Sequence, residues 1–96
     1  MAATRRLQVV LSGRVQGVGF RFFAVHEAQA RGLTGWVRNG GEDKVEVVAE
    51  GPEAELQALL AALRQGPPLA WIASAAVEWR EASGEFRGFA ARASGW

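Results

Sequence analysis

Leu7, Val9 and Leu11 alternate with Gln8, Val10 and Ser12, the period of a strand with one buried face. A run with Gly13, Gly17 and Gly19 follows, and from about Phe20 to Arg31 the pattern turns helical. Phe22, Val25 and Gln29 mark one line of that helix, with Ala24 and Ala28 beside it. Gly32 stands where a helix commonly ends in a left-handed residue. Leu33, Gly35 and Val37 then alternate with Thr34, Trp36 and Arg38, which predicts a second strand. Asn39-Gly40-Gly41 reads as a hairpin turn. Val45, Val47 and Ala49, set among Lys44, Glu46, Val48 and Glu50, form the returning strand.

Gly51-Pro52-Glu53-Ala54-Glu55 opens a second helix, with proline suited to the first helical position and acids complementing the dipole. Leu56, Leu59, Leu60 and Leu63 recur at i, i+3, i+4 and i+7 and define its core stripe. Gly66-Pro67-Pro68 stops it. Trp71 to Arg80 reads as a long strand, with Ala73, Ala75, Val77 and Trp79 inward and Ser74, Glu78 and Arg80 outward. Ser83-Gly84 marks a turn, and Phe86 to Ala93 gives a short last strand. The order is β-α-β-β-α-β plus a short fifth strand. Two amphipathic helices can cover one face of a mostly antiparallel sheet, and connection rules favour an α+β, ferredoxin-like sandwich.

Composition narrows the chemistry. Ninety-six residues are expected to form a single domain over 1–96. The net charge is +1, from ten Arg and one Lys against nine Glu and one Asp. A nucleic-acid surface would need a stronger basic excess, so no nucleic-acid partner is expected. With no cysteine, disulfides, thiolate nucleophiles and cysteine zinc sites are excluded. The apolar run Leu7 to Leu11 is too short and interrupted for a signal peptide, and no stretch approaches membrane-spanning length. The expectation is a cytoplasmic protein with no membrane partner.

The loop Gly13-Arg14-Val15-Gln16-Gly17-Val18-Gly19-Phe20-Arg21 carries the strongest signal. Its glycines let the backbone bend, and it feeds a helix whose first N–H groups are unpaired. Free donors and the positive end of the dipole converge there on an anion. Arg21 adds a planar charged fork suited to phosphate oxygens. Read alone, the stretch is either an unliganded strand-to-helix turn or an oxyanion cradle. No Gly-Lys-Ser/Thr ending marks a nucleotide loop. Ser12 precedes the loop at a strand end and His26 reads as a surface or half-buried side chain, so water is the expected nucleophile. Asn39 suits a left-handed turn position. It meets the loop only if the strand order brings both strand ends to one side, which the residues alone leave open. Glu42, Asp43 and Glu46 read as a solvated loop rather than a metal site, and Arg87-Gly88-Phe89-Ala90 echoes an RNA-recognition strand only until Ala91. Trp36 reads either as a filler between strands or as a base-stacking platform on the open face.

The loop also resembles the signature of the acylphosphatases. Gly32-Leu33-Thr34-Gly35-Trp36-Val37-Arg38-Asn39 and Val45-Glu46-Val47-Val48-Ala49-Glu50-Gly51 are similar to two further motifs of that family. The resemblance implies the same sandwich fold and a phosphate-binding Arg21 with a catalytic Asn39. On that basis Arg21 and the backbone N–H groups of Val15, Gln16, Gly17, Val18, Gly19 and Phe20 would bind the phosphoryl oxygens, and the Asn39 amide would orient water. No general acid stands beside the loop, so a leaving group that departs unaided is required. A carboxylate does so, which makes acyl phosphates the natural substrates. The implied protein is a monomeric, metal-independent acyl phosphate hydrolase without a cofactor, whose site accepts inorganic phosphate or sulfate. The alternative is a non-catalytic anion-binding module of the same fold. The sequence departs from the family at the Asn39-Gly40-Gly41-Glu42-Asp43 turn and in the tail Ala90–Trp96, which leaves the role of the C-terminus open.

Overall fold

The computed structural model describes residues 3–95. Its elements are β1 (Thr4–Arg14), α1 (Phe20–Ala30), β2 (Thr34–Asn39), β3 (Lys44–Pro52), α2 (Glu53–Gln65), β4 (Trp71–Glu81) and β5 (Phe89–Ala91). The strands form one sheet in the order β4-β1-β3-β2-β5. β1 pairs antiparallel with β3 and β4, and β2 pairs antiparallel with β3. Only β5 is parallel to its neighbour, β2. The expected ferredoxin-like α+β sandwich is the observed fold. No helix among the described residues is long and apolar enough to cross a membrane.

The core lies between one sheet face and the two helices. Leu7, Val9 and Leu11 of β1, Val37 of β2, and Val45, Val47 and Ala49 of β3 supply the sheet side. Leu56, Leu59, Leu60 and Leu63 of α2 meet them as the periodicity predicts. On α1 the buried stripe is Phe20, Ala24 and Ala28. The expected line through Phe22 is corrected: Phe22 lies two residues, about 200° of helix rotation, from Phe20 and points away from the core.

β4 needs a second correction. Ala73 is exposed, and Ile72 joins Ala75, Val77 and Trp79 against the core. The cause is a bulge: Ser12 pairs with Ser74, but Gly13 pairs with Ile72, so Ala73 is the extra residue. A one-residue slip exchanges the two faces of a strand. Gly13 (φ +134°) permits it, since a Cβ there would land on the Trp71 carbonyl oxygen. Pro52 ends β3 in an extended conformation and caps α2 rather than starting it, and the last strand covers only Phe89–Ala91.

The end of the sheet marked by Glu50 is closed by ions. Glu50 is 4% exposed, although its position suggested an outward residue. Its carboxylate accepts from Arg6 Nε at 2.7 Å and from the backbone N–H groups of Ser83 and Gly84 at 2.8 and 3.0 Å. Burial pushes the Glu50 carboxyl up, but these donors together outweigh it and hold the group below the usual carboxylate range.

Candidate functional site

β1 and β2 are both antiparallel to β3, which lies between them. They therefore run parallel to each other and end on the same side of the sheet. Ser12 pairs with Lys44, and Asn39 pairs with Val45, one residue further along β3. The strand order thus brings Asn39 to the loop that follows β1.

That loop turns through two left-handed glycines, Gly17 (φ +72°) and Gly19 (φ +78°). Gly19 is the N-cap of α1, with no side-chain cap and no acid in the first helical turn. Phe23 N–H already bonds the Gly19 carbonyl at 3.0 Å. No acceptor among the described residues takes the backbone N–H groups of Gln16 through Phe20. The positive end of α1 is therefore left, among the described residues, with unpaired donors and no acid in its own first turn.

A cavity of about 200 Å³ opens at this point. The loop supplies Val15, Gly17 and Gly19 to its wall, α1 supplies Phe20, Arg21 and Phe22, and β2 supplies Asn39. Arg21 and Asn39, eighteen positions apart in sequence, face one space. Neither side chain makes a hydrogen bond or ion pair among the described residues. Gln16 and Val18 do not line the cavity. Val18 packs on the core, and Gln16 Nε2 donates to the carbonyls of Gly41 (2.7 Å) and Lys44 (3.0 Å).

The turn after β2 changes the reading of Asn39. Asn39 stays extended in its strand, and the left-handed residue of the turn is Asp43 (φ +56°). Gly40 N–H bonds the Lys44 carbonyl at 2.9 Å, and Gly13 N–H bonds the Asp43 carbonyl at 3.1 Å. The turn explanation for asparagine at position 39 therefore fails, and its amide is free to face the cavity.

The C-terminal segment carries contacts that sequence reasoning missed. Arg92 N–H bonds the Val37 carbonyl at 2.8 Å, and Gly95 N–H bonds the Asn39 carbonyl at 2.9 Å. The tail thus continues along β2 and pins the Asn39 backbone. The guanidinium groups of Arg38 and Arg92 lie over the half-buried Trp36 ring, 5.0 and 4.8 Å from its centroid, and hold it in cation–π contact. Phe22 was also missed as a cavity residue, although Phe20, Ala24 and Ala28 at i, i+4 and i+8 already exclude it from the core. Among the described residues no three His, Cys, Asp or Glu side chains come together as a metal-ligand set.

A sequence model of the acylphosphatase family matches residues 7–91. An acylphosphatase of Methylococcus capsulatus is 48% identical over 86 residues, covering 90% of this chain and 94% of that protein. The crystal structure of the Bacillus subtilis acylphosphatase superposes with a TM-score of 0.88 at 36% identity, covering 92% of this chain and 98% of that one. A Coxiella burnetii acylphosphatase structure gives 0.83 at 35% identity, with 94% of each chain covered. By the family model over residues 7–91 and by relatives that match most of its length, the chain belongs to the acylphosphatase family.

Proposed function

We propose that this chain hydrolyses the carboxyl–phosphate bond of acyl phosphates, with Arg21 and the loop amides holding the phosphoryl group and Asn39 holding the attacking water. The observation that carries the reading is the shared cavity of Arg21 and Asn39 over unpaired backbone donors. The Arg21 guanidinium and the N–H groups of Val15 to Phe20 match the oxygens of a phosphoryl group and stabilise charge that builds on them. The Asn39 amide is not a base; it contributes by fixing the water in line with the bond that breaks. Water oxygen bonds to phosphorus, the bond from phosphorus to the acyl oxygen breaks, and that oxygen keeps its electron pair as a carboxylate. The products are a carboxylate and inorganic phosphate, and the proton from water passes to phosphate or solvent. A carboxylate, whose conjugate acid has a pKa of about 4, departs without a general acid.

The same reading takes residues 1–96 as one domain working as a cytoplasmic monomer, with inorganic phosphate or sulfate able to fill the cradle. The test is release of inorganic phosphate from acetyl phosphate and benzoyl phosphate, with and without chelator. Turnover of at least one, unchanged by chelator, is the expected result. Phosphate-dependent thermal stabilisation without turnover of either would replace the hydrolase with an anion-binding module.

A further inference from the structure

Among the described residues three large apolar side chains stand exposed: Phe22 (81%), Leu69 (72%) and Trp71 (67%). All three are at the end of the sheet where the cavity opens. Trp71 pairs with Arg14, the last residue before the loop. Leu69 belongs to the connection between α2 and β4, whose first residue, Gly66, lies beside the Phe20 ring. Phe22 itself lines the cavity with Arg21 and Asn39. Leu69 and Trp71 share that end of the sheet without lining the cavity; Phe22 stands in its wall and is the exposed apolar side chain placed to meet a ligand there.

The core does not account for Phe22. Phe20, Ala24 and Ala28 fill the inward stripe of α1, and the Phe20 ring contacts Phe23 with centroids 6.0 Å apart. The Phe22 ring meets no other ring and no cation among the described residues. The cavity volume, about 200 Å³, is below the roughly 300–1,000 Å³ that encloses a drug-sized ligand. A phosphoryl group seated against the loop takes up part of that space. An acyl body too large for the remainder crosses the rim, and Phe22 is the large exposed side chain there.

Resting on the function proposed above, we infer that Phe22 is the specificity-determining residue for the acyl group and selects acyl phosphates with a flat apolar body, aroyl phosphates above all. A ring leaving the cradle packs against the Phe22 face in offset or edge-on contact. A two-carbon acyl group is too short to use that surface. The preference therefore acts on binding of the acyl portion and leaves the bond-breaking step as described.

The experiment compares kcat/KM for benzoyl phosphate and acetyl phosphate in the wild type and in Phe22→Ala, Phe22→Leu and Phe22→Tyr. The expected result is a fall in the benzoyl-to-acetyl ratio of about tenfold in Phe22→Ala, expressed in KM for benzoyl phosphate. Phe22→Tyr should restore the ratio, because it keeps the ring, and Phe22→Leu should restore it in part. An unchanged ratio in Phe22→Ala, or an equal loss on both substrates, overturns the inference while the hydrolase reading stands. A wild type that turns over acetyl phosphate but not benzoyl phosphate also overturns it. A wild type that hydrolyses neither removes the functional reading itself, and the inference with it.

Discussion

The Gln16 side chain donates to the Gly41 carbonyl at 2.7 Å, and the same nitrogen reaches the Lys44 carbonyl at 3.0 Å. Gln16 sits in the middle of the loop after β1, and Gly41 lies in the turn that follows Asn39. The contact joins the two segments that make the cavity. Gly13 N–H to the Asp43 carbonyl adds a second tie between them. The distance between Arg21 and Asn39 is thus set by bonds as well as by the sheet.

Replacing Gln16 should loosen that distance more than it loosens phosphate binding. Gln16→Glu keeps the shape but turns a donor into an acceptor that faces two carbonyls. The expected outcome is a loss of about tenfold in kcat with KM and inhibition by phosphate nearly unchanged, because the water rather than the phosphoryl group loses its place. The stability cost should be about 1–2 kcal/mol. Steady-state kinetics and denaturant unfolding on the same preparations check both numbers. An equal loss in kcat and in phosphate affinity would make Gln16 a general support of the loop.

Arg21 and Asn39 should separate in the same assays. Arg21→Lys keeps the charge but not the planar fork, so phosphate inhibition should weaken and kcat should fall by about a hundredfold or more. Asn39→Ala should lower kcat on a similar scale while phosphate still binds. Circular dichroism should show both variants folded, since neither side chain has a hydrogen-bond or ion-pair partner to lose among the described residues.

Much of this site was legible from residue order. The glycine spacing marks the strand-to-helix turn that places Arg21 at the cavity, and the leucines of α2 fall on its buried stripe because period and packing agree there. Asn39 needed topology: nothing local shows that β1 and β2 end together on either side of β3. The Ala73 bulge was hidden because alternation reports a strand but not a slip within it. The burial of Glu50 is not legible in the sequence because its cost is offset by Arg6, Ser83 and Gly84, which lie far away along the chain. The contacts of the tail at Gly95 had no sequence signal, since a backbone N–H is common to every residue but proline.

Glu50 gives the pH dependence of stability a definite sign. Its pKa is lowered in the folded protein, so the stabilisation is complete above the ordinary carboxylate pKa of about 4.3. It is lost as the pH falls through the lower folded value. Glu50→Gln should flatten the acid limb of the stability curve below about pH 4.5 and lower stability near neutrality by about 3 kcal/mol. Thermal melts between pH 3 and pH 8 read both effects. Asn39 pairs with Val45 and Glu50 pairs with Thr34, five strand positions away. At about 3.4 Å per residue that is roughly 17 Å, so kcat/KM at neutral pH should hold.

Gly13 and Gly19 are both glycine for backbone reasons, but the consequences of adding a methyl differ. At Gly19 (φ +78°) a Cβ meets nothing within 4 Å, so Gly19→Ala carries only the conformational cost, about 1 kcal/mol. The helix N-terminus it caps belongs to the cradle, so any relaxation should appear first as weaker phosphate inhibition. At Gly13 the new Cβ meets the Trp71 carbonyl and crowds the Ala73 nitrogen, both backbone atoms that cannot rotate away. Gly13→Ala must therefore push β4 from β1 at the bulge, for a cost of about 3 kcal/mol or more. Denaturant midpoints should rank wild type above Gly19→Ala and Gly19→Ala well above Gly13→Ala. Amide exchange in the Gly13 variant should quicken first along Trp71–Ser74. Equal midpoints for the two variants would mean that the bulge relaxes freely, and Gly13 would then be dispensable to the register of β4.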